Sequence, residues 1–226
     1  MNPFFRIFTL SICLPCLSLF AQDMTHGQGM VGYTVFNSGS INFSENSRLQ
    51  NEVSENGDLP GLFTVGIAGF TALSNPDAQT QLGAELGLTF GFGGEVDSYA
   101  FSNGSGVLRV DSNMLLSDVF TGLFVSQQLG EKARIYLAAG GQLVWANLES
   151  DFDEDSSLGE RIRYSVSGSG FGFGVYARAG LEFNYRNEGT LGIGLRAASS
   201  SVDFEGDIGE VDFEALQAFI VFTQKL

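Results

Sequence analysis

Histidine and tryptophan occur once each in the 226 residues, cysteine twice and proline four times. Both cysteines, Cys13 and Cys16, fall within the first 21 residues. A chain cleaved there carries no disulfide framework and no cysteine nucleophile. The lone His26 stands ahead of the first candidate strand, far from the polar connections, which argues against a histidine-dependent triad. Basic residues number 11 against 26 acidic ones, a net charge of -15, and this opposes a nucleic-acid-binding face. Asp151, Asp153 and Asp155 copy the start of a calcium loop. Ser156 replaces its glycine and Ile162 its terminal glutamate, so the motif fails and no metal is expected. The runs Gly91-Phe-Gly-Gly and Gly170-Phe-Gly-Phe-Gly174 are glycines at period two, not a phosphate loop. Neither an enzyme nor a cofactor is expected. After Ala21 no apolar run approaches the length of a spanning helix, so any membrane crossing must be by strands closed into a barrel.

Against these shortages stand 30 glycines, 21 phenylalanines and 44% hydrophobic residues. Glycine is thus about 13% of the chain against a usual ~7%, which disfavours long helices. That much Phe, Leu and Val is equally foreign to a disordered acidic tail. Met1–Ala21 has one basic residue, Arg6, before an apolar run ending at Phe20, with small Ala21 before polar Gln22-Asp23. This is the layout of a secretory signal peptide, so residues 1–21 are read as signal and 22–226 as the mature domain. Cleavage removes Arg6 and leaves 10 basic residues against 26 acidic, a net charge of -16.

The mature chain alternates with period two, and successive strand side chains face opposite sides. In Gly170–Arg186 one parity is Phe171, Phe173, Val175, Ala177, Ala179, Leu181, Phe183 and Tyr185. The other is glycine, Tyr176, Arg178, Glu182, Asn184 and Arg186. Leu82–Gly93 sets Leu82 through Phe92 against Gly83, Glu85, Gly87, Thr89, Gly91 and Gly93. Ala133–Asn147 sets Ile135, Leu137, Leu143 and Trp145 against Arg134, Tyr136 and Gln142. Thr190–Ala198 and Leu62–Thr71 repeat the pattern. Met30–Phe36, Met114–Gln127 and Ala215–Gln224 complete eight candidate strands, their facing left open. Short connections at 74–77, 129–132 and 187–189 alternate with long polar ones at about 44–60, 95–107, 149–169 and 201–210. That order fits an up-and-down meander with long loops at one rim.

The glycine-rich parity would make a poor solvated surface but suits a narrow lumen, so the apolar parity should face lipid. Phe183 and Tyr185 then lie at one interface, and Phe90, Phe92, Phe171 and Trp145 at the other, as an aromatic girdle.

With its leader, these strands and the final segment Ala215-Leu-Gln-Ala-Phe-Ile-Val-Phe-Thr-Gln-Lys-Leu226, the chain resembles the small eight-stranded outer-membrane β-barrels of Gram-negative bacteria. Examples are the barrel domain of outer-membrane protein A and the opacity-type surface proteins. The resemblance covers essentially all of residues 22–226. It implies an all-β, antiparallel up-and-down transmembrane barrel in the cell outer membrane, with both termini periplasmic. The partners it implies are outer-membrane lipid and the barrel-insertion machinery.

Eight strands leave a lumen just wide enough for side chains. Buried charges there must pair, so Arg178, Arg186 and Arg196 are expected to face Glu85 and Glu182, with Arg134 in the same lumen set. The expected function is structural, adhesive or surface-recognising, with a plugged lumen and any ligand met through the long loops. One alternative is a narrow channel for ions or small solutes. Another, of a different class, is a soluble secreted barrel binding an apolar ligand.

Overall fold

A computed structural model describes residues 24–38, 59–74, 78–100, 106–156, 161–186, 189–205 and 209–226. The signal segment 1–21 and nearly all of the 44–60 connection lie outside the described residues. The strands are β1 (His26–Ser38), β2 (Leu62–Ala72), β3 (Thr80–Ala100), β4 (Gly106–Leu129), β5 (Ala133–Ser156), β6 (Arg161–Arg186), β7 (Gly189–Phe204) and β8 (Gly209–Lys225). Each pairs antiparallel with the next, and β1 pairs with β8 from His26↔Lys225 to Ser38↔Glu214. Closure pairs each strand on both sides through the body of the barrel, while β3 beyond Phe92 and β6 before Gly170 are laddered on one side only. Gly130 in the β4–β5 turn (φ 70°) and Gly209 at the start of β8 (φ 74°) take left-handed conformations that a Cβ would strain.

Three of the expected long loops are largely strand. β3 and β4 pair as far as Ala100↔Val107, β5 and β6 as far as Asp155↔Arg161, and β7 and β8 as far as Phe204↔Gly209. The reason is visible at the top of β7 and β8. Val202, Phe204, Val211 and Phe213 are buried, while Asp203, Glu205, Glu210 and Asp212 are exposed. Only one parity is acidic, which is strand alternation and not loop composition. Among the described residues the strand count is therefore eight, and those of 149–169 belong to β5 and β6 themselves.

The facing of the three open strands is also fixed. Gln28, Met30 and Thr34 of β1 point inward, as do Met114, Leu116, Asp118, Phe120, Phe124 and Ser126 of β4. On β8 the inward set includes Gln217, Phe219, Val221 and Thr223. The clean strands face as the alternation predicts: Phe173, Ile193 and Ile67 are exposed at 77%, 64% and 65%, while Glu85, Arg178 and Arg196 are buried. An apolar exterior around a charged interior is the reverse of a soluble ligand-binding barrel.

The lumen accepts glycine because neighbouring strands and rings fill the space. A Cβ on Gly172 would overlap the Ser201 carbonyl, and one on Gly180 would meet the Tyr136 ring.

Candidate functional site: the ion-paired lumen and the acidic wall

Three tiers of charge cross the lower lumen. Nearest the start of β1 and the end of β8, Arg134 of β5 meets its direct ladder partner Glu182 of β6 through Nη2 at 2.5 Å and Nε at 3.2 Å. Glu182 also accepts from Gln28 Nε2 (2.8 Å), Thr223 Oγ1 (2.9 Å) and Thr190 Oγ1 (2.8 Å). Five donors on one carboxylate satisfy its charge where burial would otherwise disfavour it.

The second tier pairs Arg178 of β6 with Glu85 of β3 across the lumen. Arg178 Nε donates to both Glu85 oxygens at 3.1 and 3.0 Å, and Nη2 completes the fork. Tyr176 donates its hydroxyl to Glu85 at 2.6 Å, and Arg178 Nη1 donates to Gln28 Oε1 at 2.9 Å.

The third tier sets Arg196 of β7 on Asp118 of β4 at 2.7 and 3.1 Å. Arg196 also donates to Gln142 at 2.6 Å and Gln217 at 3.2 Å, while Thr89 donates to Asp118. Arg196 Nε alone is a buried group with no partner among the described residues.

The expected partner of Arg196 is therefore corrected: it is Asp118, not Glu85 or Glu182. Arg178 and Arg196 are direct ladder neighbours, two like charges side by side. Carboxylates on β3 and β4 relieve that repulsion by reaching in from the opposite wall. Asp118 escaped sequence reasoning because both parities of β4 carry large apolar residues. The inward ones are there for the arginines: Arg196 lies 4.6 Å from the Phe120 ring centroid and 4.9 Å from that of Tyr176, and Arg178 lies 5.2 Å from Phe70. These distances are in the cation–π range. Arg186 holds the last ladder position of β6, opposite Gly189 after a register shift, and its side chain lies outside the described residues.

Above the Thr34–Thr64 hydroxyl pair (2.7 Å) the interior turns apolar. Leu62, Met114, Leu116, Val144, Leu148, Val202, Phe204, Val211 and Phe213 form one buried cluster. The exterior inverts at the same height. On β5 the outward row runs Ile135, Leu137, Ala139, Gly141, Leu143 and Trp145, then Asn147, Glu149 and Asp151. From Ile135 to Trp145 the belt is about 25 Å tall at the ~3.3 Å rise and ~40° tilt usual in such barrels. Phe90, Phe92 and Phe171 are exposed high on this belt and Phe183 and Tyr185 low on it, while Trp145 is half-buried. Phe63 packs edge-on against Phe92 at 5.3 Å.

The wall above is polar outside. Ser165, Ser167, Glu149, Asp151, Asp203, Glu210, Asp212 and Glu214 are exposed. Arg163 approaches Asp153 at 3.4 Å. Asp151 and Asp153 are thus strand residues, and among the described residues no group of three metal-ligating side chains converges. No helix among them is long and apolar enough to cross a membrane, and the belt shows that strands do so.

A closed eight-stranded antiparallel barrel with a lipid-matched belt, a charge-paired lower lumen and an apolar upper plug is a membrane-spanning barrel of the outer-membrane type. No protein-family model matches the chain, and no curated protein does. Among solved structures it is similar to Ail, the attachment invasion locus protein of Yersinia pestis. That match has 14% identity and a TM-score of 0.36, and covers 88% of this chain and 99% of that one. It is also similar to Neisserial surface protein A, at 12% identity and a TM-score of 0.41, with 89% and 96% covered. A major outer membrane protein from Thermus thermophilus is similar at 13% identity and a TM-score of 0.39, with 88% and 99% covered. The eight-strand ring rests on the ladder registers above, not on these likenesses.

Proposed function

We propose that this chain is an outer-membrane surface protein, closed to solutes, that presents a stiff acidic β-wall outside the cell for structural or adhesive recognition. The observation that carries this reading is the inversion of wall polarity. Strands β3 to β6 continue well past the apolar belt, with Glu149, Asp151, Ser165 and Ser167 exposed, and the tops of β7 and β8 set buried Val202, Phe204, Val211 and Phe213 against exposed Asp203, Glu210 and Asp212. Such a wall is held by ladder hydrogen bonds and a packed core, so it offers a preformed surface at small entropic cost on binding. Its charge suits a cationic partner and steers encounter with one.

The filled interior disfavours the channel alternative, because three paired charge tiers and an apolar plug lie in series along the lumen. The leader and the barrel form support the outer membrane as its location. Two experiments test the reading. Planar bilayers containing the refolded protein should show no stable open conductance. Cells displaying the protein should bind a cationic matrix or host surface, and reversal of Asp203, Glu210 and Asp212 to lysine should abolish that binding. A steady high conductance, or adhesion unchanged by charge reversal, would refute it.

A further inference from the structure

At the end of the barrel where β1 begins and β8 ends, the lumen opens into a polar cavity of about 440 Å³, within the size range of small-molecule sites. Strands β1, β4, β5, β6, β7 and β8 all contribute to its wall. Phe70 and Phe124, edge to face at 5.2 Å, fill the lumen on the β2 side. The lining is rich in donors: Lys225, Arg134, His26, Gln128 and Asn184 line it, against one carboxylate among the described residues, Glu131. Glu182 lies behind Arg134 and already accepts five hydrogen bonds, so it competes weakly for a ligand's place. Lys225 has no carboxylate partner among the described residues. The rim is held in place. Asn184 donates through its side chain to the Glu131 carbonyl (2.5 Å) and through its backbone to the Lys132 carbonyl (2.9 Å). His26 Nδ1 engages Thr25 Oγ1 at 3.0 Å, which orients the ring.

We infer that this mouth binds a small ligand through a carboxylate group, in the form of the free C-terminal end of a short peptide. The carboxylate takes Lys225 and Arg134, a charge-assisted pairing in a partly dehydrated cup. The amides of Gln128 and Asn184 suit a peptide unit, and Glu131 accepts a ligand N–H. The same Glu131 repels a compact dianion, which favours peptide carboxylate over phosphate. That this mouth faces the periplasm rests on the reading above; the site does not, and closed conductance and adhesion are read separately from it.

The test is calorimetric titration of the full barrel in non-ionic detergent with acetyl-Ala-Ala, its C-terminal amide and inorganic phosphate. The carboxylate peptide should bind saturably, and the amide and phosphate more weakly. The exposed substitution Lys225→Glu should weaken the carboxylate peptide by about tenfold or more, the scale of one charge-assisted hydrogen bond. Absence of peptide binding, equal binding of the amide, preference for phosphate, or an unchanged affinity in a folded Lys225→Glu protein would each overturn the proposal. The amide comparison needs no variant, so it decides even where Lys225→Glu folds poorly.

Discussion

Replacing Arg196 by methionine tests whether the lumen is held by charge pairing or only by packing. Methionine keeps most of the length and the contact with Phe120 and Tyr176, at 4.6 and 4.9 Å from the guanidinium, and removes every donor. The Asp118 carboxylate, 3% exposed, then keeps Thr89 as its hydrogen-bond donor and loses its counter-charge. Breaking one side of a buried pair costs about 3–5 kcal/mol, mostly from the charge left behind. Gln142 and Gln217 each lose a donor as well, at ~1–3 kcal/mol for any oxygen that stays dry. A second substitution, Asp118→Leu, removes the stranded charge. The double variant should therefore be more stable than Arg196→Met alone, recovering most of the ~3–5 kcal/mol and leaving the glutamines' deficit. Urea unfolding in lipid vesicles, followed by heat-modifiable gel mobility and by emission from Trp145, the only tryptophan, measures both variants. The reasoning fails if Arg196→Met lies within ~1 kcal/mol of the parent, or if the double variant is the less stable of the two.

Three further outcomes use the same unfolding measurement. Leu123→Arg, exposed in the belt beside Ala139, should cost about 2–4 kcal/mol in lipid, while Asp151→Lys on the wall above should change stability by less than ~0.5 kcal/mol. Gly32→Val should block folding, because its Cβ would overlap the Ala218 carbonyl, whereas Gly29→Ala, with nothing within 4 Å, should be tolerated. Val202→Asp should cost at least ~3 kcal/mol by placing an unpaired carboxylate in the upper plug, and Ser201→Asp beside it, half-buried on the outer face, should cost far less.

Period-two alternation was enough to find the eight strands, because a barrel in lipid needs one apolar parity and leaves the other for a narrow lumen. It also placed Glu85, Arg134, Arg178, Glu182 and Arg196 on the inward parity, since a charge opposite a row of Phe and Leu has no other side to occupy. The upper wall was not legible. Asp203, Glu205, Glu210 and Asp212 read as a solvated loop until Val202, Phe204, Val211 and Phe213 are seen as the buried parity of the same two strands. Alternation has no absolute sign, and above the membrane the sign reverses because water replaces lipid outside.

What the sequence determined by itself was local: which residues lie on strands, and which parity carries charge in the belt. Only the closed tertiary structure decided who meets whom. Ring closure and register bring β4 across from β7, so Arg196 finds Asp118, 78 residues away, and Arg178 finds Glu85, 93 residues away. No spacing along the chain encodes those contacts. They follow from eight strands closed into a lumen narrow enough for long side chains to reach the opposite wall.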